Sequence, residues 1–227
     1  MIKRLLIIPA RSGSKRIKNK NIKLFKKKPI ILFPLSEAKK SKLFSKIHIS
    51  TDSYKIKKIV ESNGFKIDFL RPKQLASDTT STVDVLRYIT KKYEQNNYHF
   101  DEIWSLAPCS PLIKSSDLIK ASQILKKNKK KIVISITKYP TPIEWAFFKE
   151  EQRLIPYKKG FYKKRSQEFK DKYHDTGNFV GIPKFFFKRK KIDFDLNYVG
   201  YELPTSRAVD IDTLEDFKLA EILYGQK

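Results

Sequence analysis

The sequence predicts an α/β fold with a mainly parallel sheet and helices on both faces. Three observations carry that prediction. Strand-like and helix-like segments alternate from the N-terminus to about residue 137, the pattern of strands joined by crossover helices. The 227 residues suit one α/β domain with a sizeable core. A hydrophobic content of 40%, with 11 Tyr and 16 Phe, belongs to a globular chain rather than a disordered one.

Residues 3–9 read as the first strand. Their basic start and apolar run imitate a signal peptide, but the run is short and Pro9 and Arg11 end it. Pro29 to Lys40 is predicted as a helix with proline near its first turn. Lys46 to Thr51 alternates as a strand, and Tyr54 to Ser62 is a helix stopped by Asn63-Gly64. Lys66 to Leu70 is expected as a short strand. Thr82 to Gln95 follows as a helix capped by Ser81. Glu102 to Leu106 is a buried strand, Ser116 to Lys127 a helix and Ile132 to Thr137 another strand. Beyond Lys138 the pattern loosens, and Tyr139-Pro-Thr-Pro opens an irregular arm, about 139–175, that serves oligomerisation or closes over a ligand. Val180 to Ile182 reads as a strand. A last helix starts near Asp212 to Ala220, capped by Asp212 or Thr213. The expectation is a single domain over 1–227. The Lys-Lys runs at 26–28 and 129–131 read as solvated loops or helix ends.

Composition narrows the function classes. No stretch approaches the roughly 20 apolar residues of a membrane span. The one cysteine, Cys109, excludes an intramolecular disulfide and a multi-cysteine zinc site, and a cytoplasmic location is expected. Forty-nine Lys and Arg against 24 acidic residues give a net charge of +25. That charge admits a nucleic-acid-binding domain, yet the lysines are spread along the whole chain with no basic tail or aromatic RNA-binding motif. An anionic substrate is attracted by the same field.

Ligands of open α/β sheets sit beyond the carboxyl ends of the strands. After the first strand come Pro9-Ala-Arg-Ser-Gly-Ser-Lys15 and Lys20-Asn21. Ser12, Gly13 and Ser14 let backbone N–H groups approach a polyphosphate, and Arg11, Lys15 and Lys20 neutralise it. The loop lacks the spacing of a Walker A motif and of G-x-G-x-x-G. Ser50-Thr-Asp52, the polar segment Arg71 to Ser81, Ala107-Pro-Cys-Ser-Pro and Asp210-Ile-Asp212 follow other strands. Asp210 and Asp212, one residue apart in an extended segment, project to the same side and repel unless a hard divalent cation joins them. Helix capping by Asp212 with Asp210 solvated needs no metal, but the phosphate-type loop favours one. His174, beside Asp175, is structural, a base or a carbohydrate contact. Adjacent strand residues point oppositely, so a His174–Asp175 dyad is not assumed.

These motifs, in order, resemble the cytidylyltransferases that make CMP-linked nonulosonic acids, and the resemblance covers nearly the whole chain. It implies a Rossmann-like nucleotidyltransferase with a small dimerisation arm, using CTP and Mg²⁺ (or Mn²⁺), working as a homodimer without nucleic acid or membrane. It implies that Arg11, Lys15, Lys20 and Asn21 contact CTP, that Arg71 and Ser81 help hold the nucleotide, and that Asp210 and Asp212 bind the metal. Arg11, Lys20, Asp210 and Asp212 are then the catalytic set. The sialate branch has Gln where this chain has Ala107, and Asn where it has Thr176. Arg165-Ser-Gln167 followed by Tyr173-His174-Asp175-Thr-Gly-Asn-Phe179 looks instead like the pseudaminic acid branch, placing Arg165, Gln167, Tyr173, His174 and Asp175 at the sugar. Legionaminic or N-acetylneuraminic acid in the same reaction is the alternative, and a non-catalytic CTP or sugar sensor another. The enzyme that activates 3-deoxy-manno-octulosonate is a weaker match, because it lacks the Lys-Asn pair.

Overall fold

The computed structural model describes residues 2–188 and 198–225. In chain order the first half contains β1 (Arg4–Pro9), a small hairpin of β2 (Leu24–Phe25) and β3 (Lys28–Pro29), α1 (Leu32–Lys40), β4 (Lys46–Ser50), α2 (Tyr54–Glu61), α3 (Thr82–Glu94) and β5 (Glu102–Leu106). The second half contains α4 (Ser115–Lys127), β6 (Ile132–Lys138), a hairpin of β7 (Phe147–Glu150) and β8 (Arg153–Pro156), β9 (Tyr173–Pro183), β10 (Tyr198–Glu202) and α5 (Leu214–Gly225). The main sheet has the order β10-β6-β9-β5-β1-β4. Its pairs are parallel except where β9 runs antiparallel between β5 and β6.

Alternation along the strands builds two cores, one on each face. Leu6 and Ile8 of β1, with Trp104 and Leu106 of β5, meet α1, α2 and α4 through Leu35, Ile56, Val60, Leu118 and Ala121. Leu5, Ile7 and Ile103 point the other way, against Val85, Leu86, Ile89 and Tyr93 of α3. A one-residue register slip would exchange these sets, so the double burial fixes the register. Trp104 faces Gly181 across the β5–β9 pair, where a Cβ would come within 2.6 Å of the indole, so only glycine fits.

A third apolar cluster positions the functional loops. Ile17 from the loop after β1, Cys109 and Leu112 from the loop after β5, and Ile211 just before α5 pack with Phe25, Ile30, Phe217 and Ala220. Phe25 makes edge-to-face contacts with Phe33, Phe217 and Tyr224 at centroid distances of 5.1, 5.6 and 5.4 Å. Segments far apart in sequence are thereby clamped together at one end of the sheet.

Several expected elements differ. The first helix starts at Leu32 rather than Pro29, which pairs with Leu24 in the small hairpin. The turn of that hairpin is Lys26-Lys27, both with positive φ (45° and 66°), a geometry usually filled by Asn-Gly. Lys66 to Leu70 forms no strand; the side chains of Ile67 and Phe69 enter the opposite cores without ladder pairing. The strand expected at Val180 to Ile182 extends over all of Tyr173–Pro183, and β10 was not expected at all.

Candidate active site

Loop one follows β1 and, with Asp78 and Pro108, lines a crevice of about 460 Å³ bordered by Pro9, Arg11, Ser14, Lys15, Arg16, Ile17, Lys20 and Asn21. A larger cleft of about 810 Å³ lies beside α1 and the start of α4. Its one carboxylate among the described residues, Glu37, already accepts from the Ser115 N–H and pairs with Lys40, so we place the site at the smaller, strand-end crevice.

The cations of loop one are held by acids from elsewhere. Arg11 Nη1 lies 2.6 Å from Asp78 Oδ1, and Lys15 Nζ lies 2.5 Å from Asp78 Oδ2. Lys20 Nζ donates to the Ile211 carbonyl at 2.6 Å and to Asp212 Oδ1 at 3.1 Å, while Arg16 reaches the same carboxylate oxygen at 2.8 Å. Lys20 is thus fixed beside the carboxylate pair, 190 residues on in sequence.

Asp210 and Asp212 flank Ile211, which is buried in the third cluster, so both project from the opposite side of the chain. Asp212 is not the helix cap. Thr213 caps α5: its hydroxyl accepts from the Asp216 N–H at 3.2 Å, and the Asp216 carboxylate takes the N–H groups of Asp212 and Thr213. The Asp212 side chain is therefore left for the cations. The Asp210 carboxylate has no hydrogen bond or ion pair among the described residues. Desolvation, and then the charge of Asp212, push its pKa above the usual carboxylate range against the opposing pull of Lys20. Gly177 stands next to it with φ +66°, and a Cβ there would come 3.5 Å from Asp210 Oδ2.

A divalent cation fits this donor set. The Asp210 carboxylate is unpaired among the described residues, and Asp212, on the same side, is held only by Arg16 and Lys20, cations that border the crevice. Among the described residues no cluster of three or more His, Cys, Asp or Glu side chains forms a closed metal cage.

Four other expected nucleotide contacts, Ser12, Asn21, Arg71 and Ser81, have partners within the protein in this structure. Ser12 turns away from the crevice, its N–H and hydroxyl both bonded to Asp52 at 2.9 and 2.6 Å. Burial raises the Asp52 pKa, but those two hydrogen bonds outweigh it and keep the carboxylate ionised. Asn21 is buried, donates to the Arg11 carbonyl at 2.9 Å and accepts from Cys109 at 3.4 Å, so it braces loop one. Burial pushes the Cys109 thiol up to about 12, which removes it as a nucleophile at neutral pH. The Ser81 hydroxyl is used at the start of α3, accepting from the Asp84 N–H and donating to the Asp84 carboxylate. Arg71 is buried against Ser50, bonding its hydroxyl and carbonyl at 2.9 and 2.8 Å, and desolvation lowers its pKa to about 10. Gly13 does not need to be glycine for space in this state, since nothing lies within 4 Å of a Cβ built there.

The expected sugar residues sit at the start of β9 and on the arm. Residues 176–179 bulge opposite Ser135 alone, pinned by Thr176 Oγ1 to Ser135 Oγ at 2.8 Å and by the Phe179 N–H to the same hydroxyl at 3.1 Å. This bulge carries Gly177 to Asp210. Asp175 Oδ1 accepts from the Gly177 N–H at 2.8 Å. The ring of His174 packs 4.8 Å from Tyr139 and its Nδ1 meets the Asp175 backbone carbonyl, so the two side chains form no dyad. Tyr173 pairs with Lys138 at the base of the arm. Gln167 lines a separate 360 Å³ hollow at the arm base with Tyr139, Phe169 and Lys172. Arg165 precedes the short 3-10 helix Ser166–Glu168 and is exposed. These residues are not gathered into the phosphate-type crevice.

Residues given no individual role from the sequence complete the frame. Arg16 belongs to loop one, and Asp52 and Asp78, named only as parts of their segments, bond its side chains. Asp117 accepts from Arg207 Nη1 and Nη2 and, at 2.8 Å, from Tyr201, tying α4 to the segment that delivers Asp210. Their pairings span long sequence separations, and no local motif announces them.

The mainly parallel sheet with its cationic strand-end crevice is the architecture of a nucleotidyltransferase. A solved CMP:2-keto-3-deoxy-manno-octonic acid synthetase complexed with CTP superposes with a TM-score of 0.73, covering 99% of each chain at 16% identity, a likeness of fold. The family model described as cytidylyltransferase matches residues 5–227, and the chain belongs to that family of enzymes. It is 33% identical over 225 residues to a pseudaminic acid cytidylyltransferase of Campylobacter jejuni subsp. jejuni, covering 98% of this chain and 97% of the relative. It is 29% identical to an N-acylneuraminate cytidylyltransferase of Escherichia coli O18:K1:H7 (98% and 52% covered), and 34% identical over 129 residues to a CMP-N,N'-diacetyllegionaminic acid synthase of Legionella pneumophila (57% and 56% covered).

Proposed function

We propose that the enzyme transfers CMP from CTP to a nonulosonic acid, pseudaminic acid in particular, and releases pyrophosphate. The observation that carries this reading is one strand-end crevice lined by Arg11, Lys15, Arg16 and Lys20, the last two bonded to Asp212, one residue from the unpaired Asp210. Full-length similarity to the Campylobacter relative supports the choice of sugar.

The sugar's anomeric hydroxyl attacks the α-phosphorus of CTP in line, and the bond to the pyrophosphate leaving group breaks. Arg11 and Lys15 bind the outer phosphates and stabilise charge on the leaving group. Lys20, held against the Ile211 carbonyl, presents its ammonium where the reacting phosphate passes the carboxylates. Asp210 and Asp212 would hold Mg²⁺ (or Mn²⁺), which would supply charge neutralisation of the phosphates. No covalent nucleophile is needed, since positioning and electrostatics do the work. Arg71 and Asn21 act behind this layer by fixing the strand end and loop one.

Tyr173, His174 and Asp175, with Arg165 and Gln167 of the arm, contact the sugar. The arm also carries the homodimer contact: Phe148, Leu154, Tyr157 and Tyr162 are more than half exposed on it, an apolar surface suited to a second copy. The reaction belongs in the cytoplasm, where CTP is made; no helix of the described residues is long and apolar enough to cross a membrane.

Pyrophosphate release from CTP and Mg²⁺, measured side by side with pseudaminic, legionaminic and N-acetylneuraminic acids, tests the reading. Release with pseudaminic acid alone is expected. Release with another sugar keeps the reaction and overturns Tyr173 to Phe179 as the specificity marker. Silence with all three, in a protein that binds CTP, returns the sensor alternative.

A further inference from the structure

Among the described residues, Asp78 is the one acidic residue lining the cationic crevice. Its two carboxylate oxygens go to two different cations of loop one, Oδ1 to Arg11 and Oδ2 to Lys15. A phosphate group bridging the same side chains would use two oxygens in the same way. The other two cations bordering the crevice, Arg16 and Lys20, are engaged elsewhere, on Asp212. An incoming polyphosphate therefore gains Arg11 and Lys15 only by displacing Asp78.

The segment bearing Asp78 is built for that movement. It is tied down at one end, where the buried Arg71 donates its N–H to the Thr51 carbonyl at 2.7 Å, and at the other, where Ser81 caps α3. Between these anchors residues 77–79 are exposed. Their local shape is kept by the segment's own hydroxyls, Ser77 with Thr79 and Thr80 at 3.1 and 2.7 Å. Swinging Asp78 away disturbs neither the sheet nor either core.

Resting on the assignment of Arg11 and Lys15 to the phosphates, we propose that Asp78 is a built-in competitor for the polyphosphate subsite. It holds the two cations when the crevice is empty, yields to the triphosphate of CTP, and takes them back as pyrophosphate leaves. A triphosphate carries enough charge and enough further contacts to win the exchange. The smaller product is expelled more readily, so Asp78 is a positioning residue that favours turnover over product retention.

Calorimetric titration with inorganic pyrophosphate tests this on the full chain. Asp78→Asn keeps the shape of an exposed side chain and removes its charge. It is expected to bind pyrophosphate about five-fold tighter, the scale of losing two exposed ion pairs as competitors. It also lowers the pyrophosphate inhibition constant in the transfer assay, while Asp78→Glu restores wild-type values. Glu151→Gln, the same charge change at the exposed β7–β8 turn, leaves the affinity as in wild type. Equal or weaker pyrophosphate binding by Asp78→Asn overturns the competitor role and makes Asp78 a mere organiser of Arg11 and Lys15. Pyrophosphate binding that Arg11→Ala and Lys15→Ala both leave unchanged overturns the phosphate assignment itself.

Discussion

The proposed phosphate end and the proposed sugar end of this enzyme are held together in opposite ways. At the proposed phosphate end six polar side chains of loop one have partners from distant segments: Arg11 and Lys15 with Asp78, Arg16 and Lys20 with Asp212, Ser12 with Asp52, Asn21 with Cys109. An apolar cluster clamps the same loops from below. The proposed sugar end is an eleven-residue strand with a bulge and an arm on which Phe148, Tyr157 and Tyr162 are more than half exposed. Its cross-links are few, among them Lys138 with Asp171 and Lys172 with Glu144. A crowded frame suits groups proposed to meet the triphosphate, where small displacements cost much rate. The more open region suits a part that differs from one acceptor sugar to the next.

Replacing Lys20 breaks the phosphate end most severely. Lys20→Met is expected to lower turnover about 10²- to 10³-fold, the scale for removing one preorganised charge at the reacting centre. Steady-state kinetics with CTP varied should show it, with a melting temperature within a few degrees of wild type.

The support behind that end is sensitive to acid. His48 on β4 is buried; its Nδ1 contacts the Tyr93 hydroxyl at 3.0 Å, which donates to Asp68 at 2.5 Å. Desolvation depresses its pKa from 6.5 to about 4 in the folded protein. Between those values the unfolded chain binds a proton that the folded one does not, so stability falls as pH drops from 6.5 to 4 and is unaffected above. The expected loss is about 3 kcal/mol. Urea unfolding across this range should show a slope that His48→Phe, which does not titrate, largely removes.

Gly177 joins the two ends. Its φ of +66° makes Gly177→Ala strained, by about 1–2 kcal/mol, although the added Cβ meets Asp210 only at ordinary contact distance. Thermal unfolding should register that loss in a protein that still folds. The smallest effect is expected at the sugar end. His174→Ala should raise the sugar KM about ten-fold, the scale of one polar contact, and leave the CTP KM unchanged. A His174 variant that instead altered the CTP KM would erase the division between the two ends.

The same contrast explains what was legible beforehand. Helices α2, α3 and α4 and strands β1, β4 and β5 appear within about a residue of their expected bounds, because local periodicity and caps specify them. Loop one and the Asp210–Asp212 pair were legible because each is a contiguous motif. The length of β9 was not, since its first residues pair with Ile136 to Lys138 only after four residues loop out opposite Ser135. Lys66 to Leu70 alternates like a strand, yet no neighbour offers it a ladder. Ser12 and Asn21 carry the right chemistry for a nucleotide, but only their distant partners, Asp52 and Cys109, reveal that those groups are already used.

The central claim is that Asp210 and the loop-one cations together carry CMP transfer to a sugar. Phosphorus NMR of CTP, Mg²⁺ and pseudaminic acid with the enzyme tests it most directly. The prediction is a new CMP-sugar phosphodiester signal with equimolar pyrophosphate, both lost in an Asp210→Asn variant that retains its circular dichroism spectrum. A phosphodiester formed by Asp210→Asn at the wild-type rate, or CTP cleaved to CMP without any sugar adduct, would contradict it.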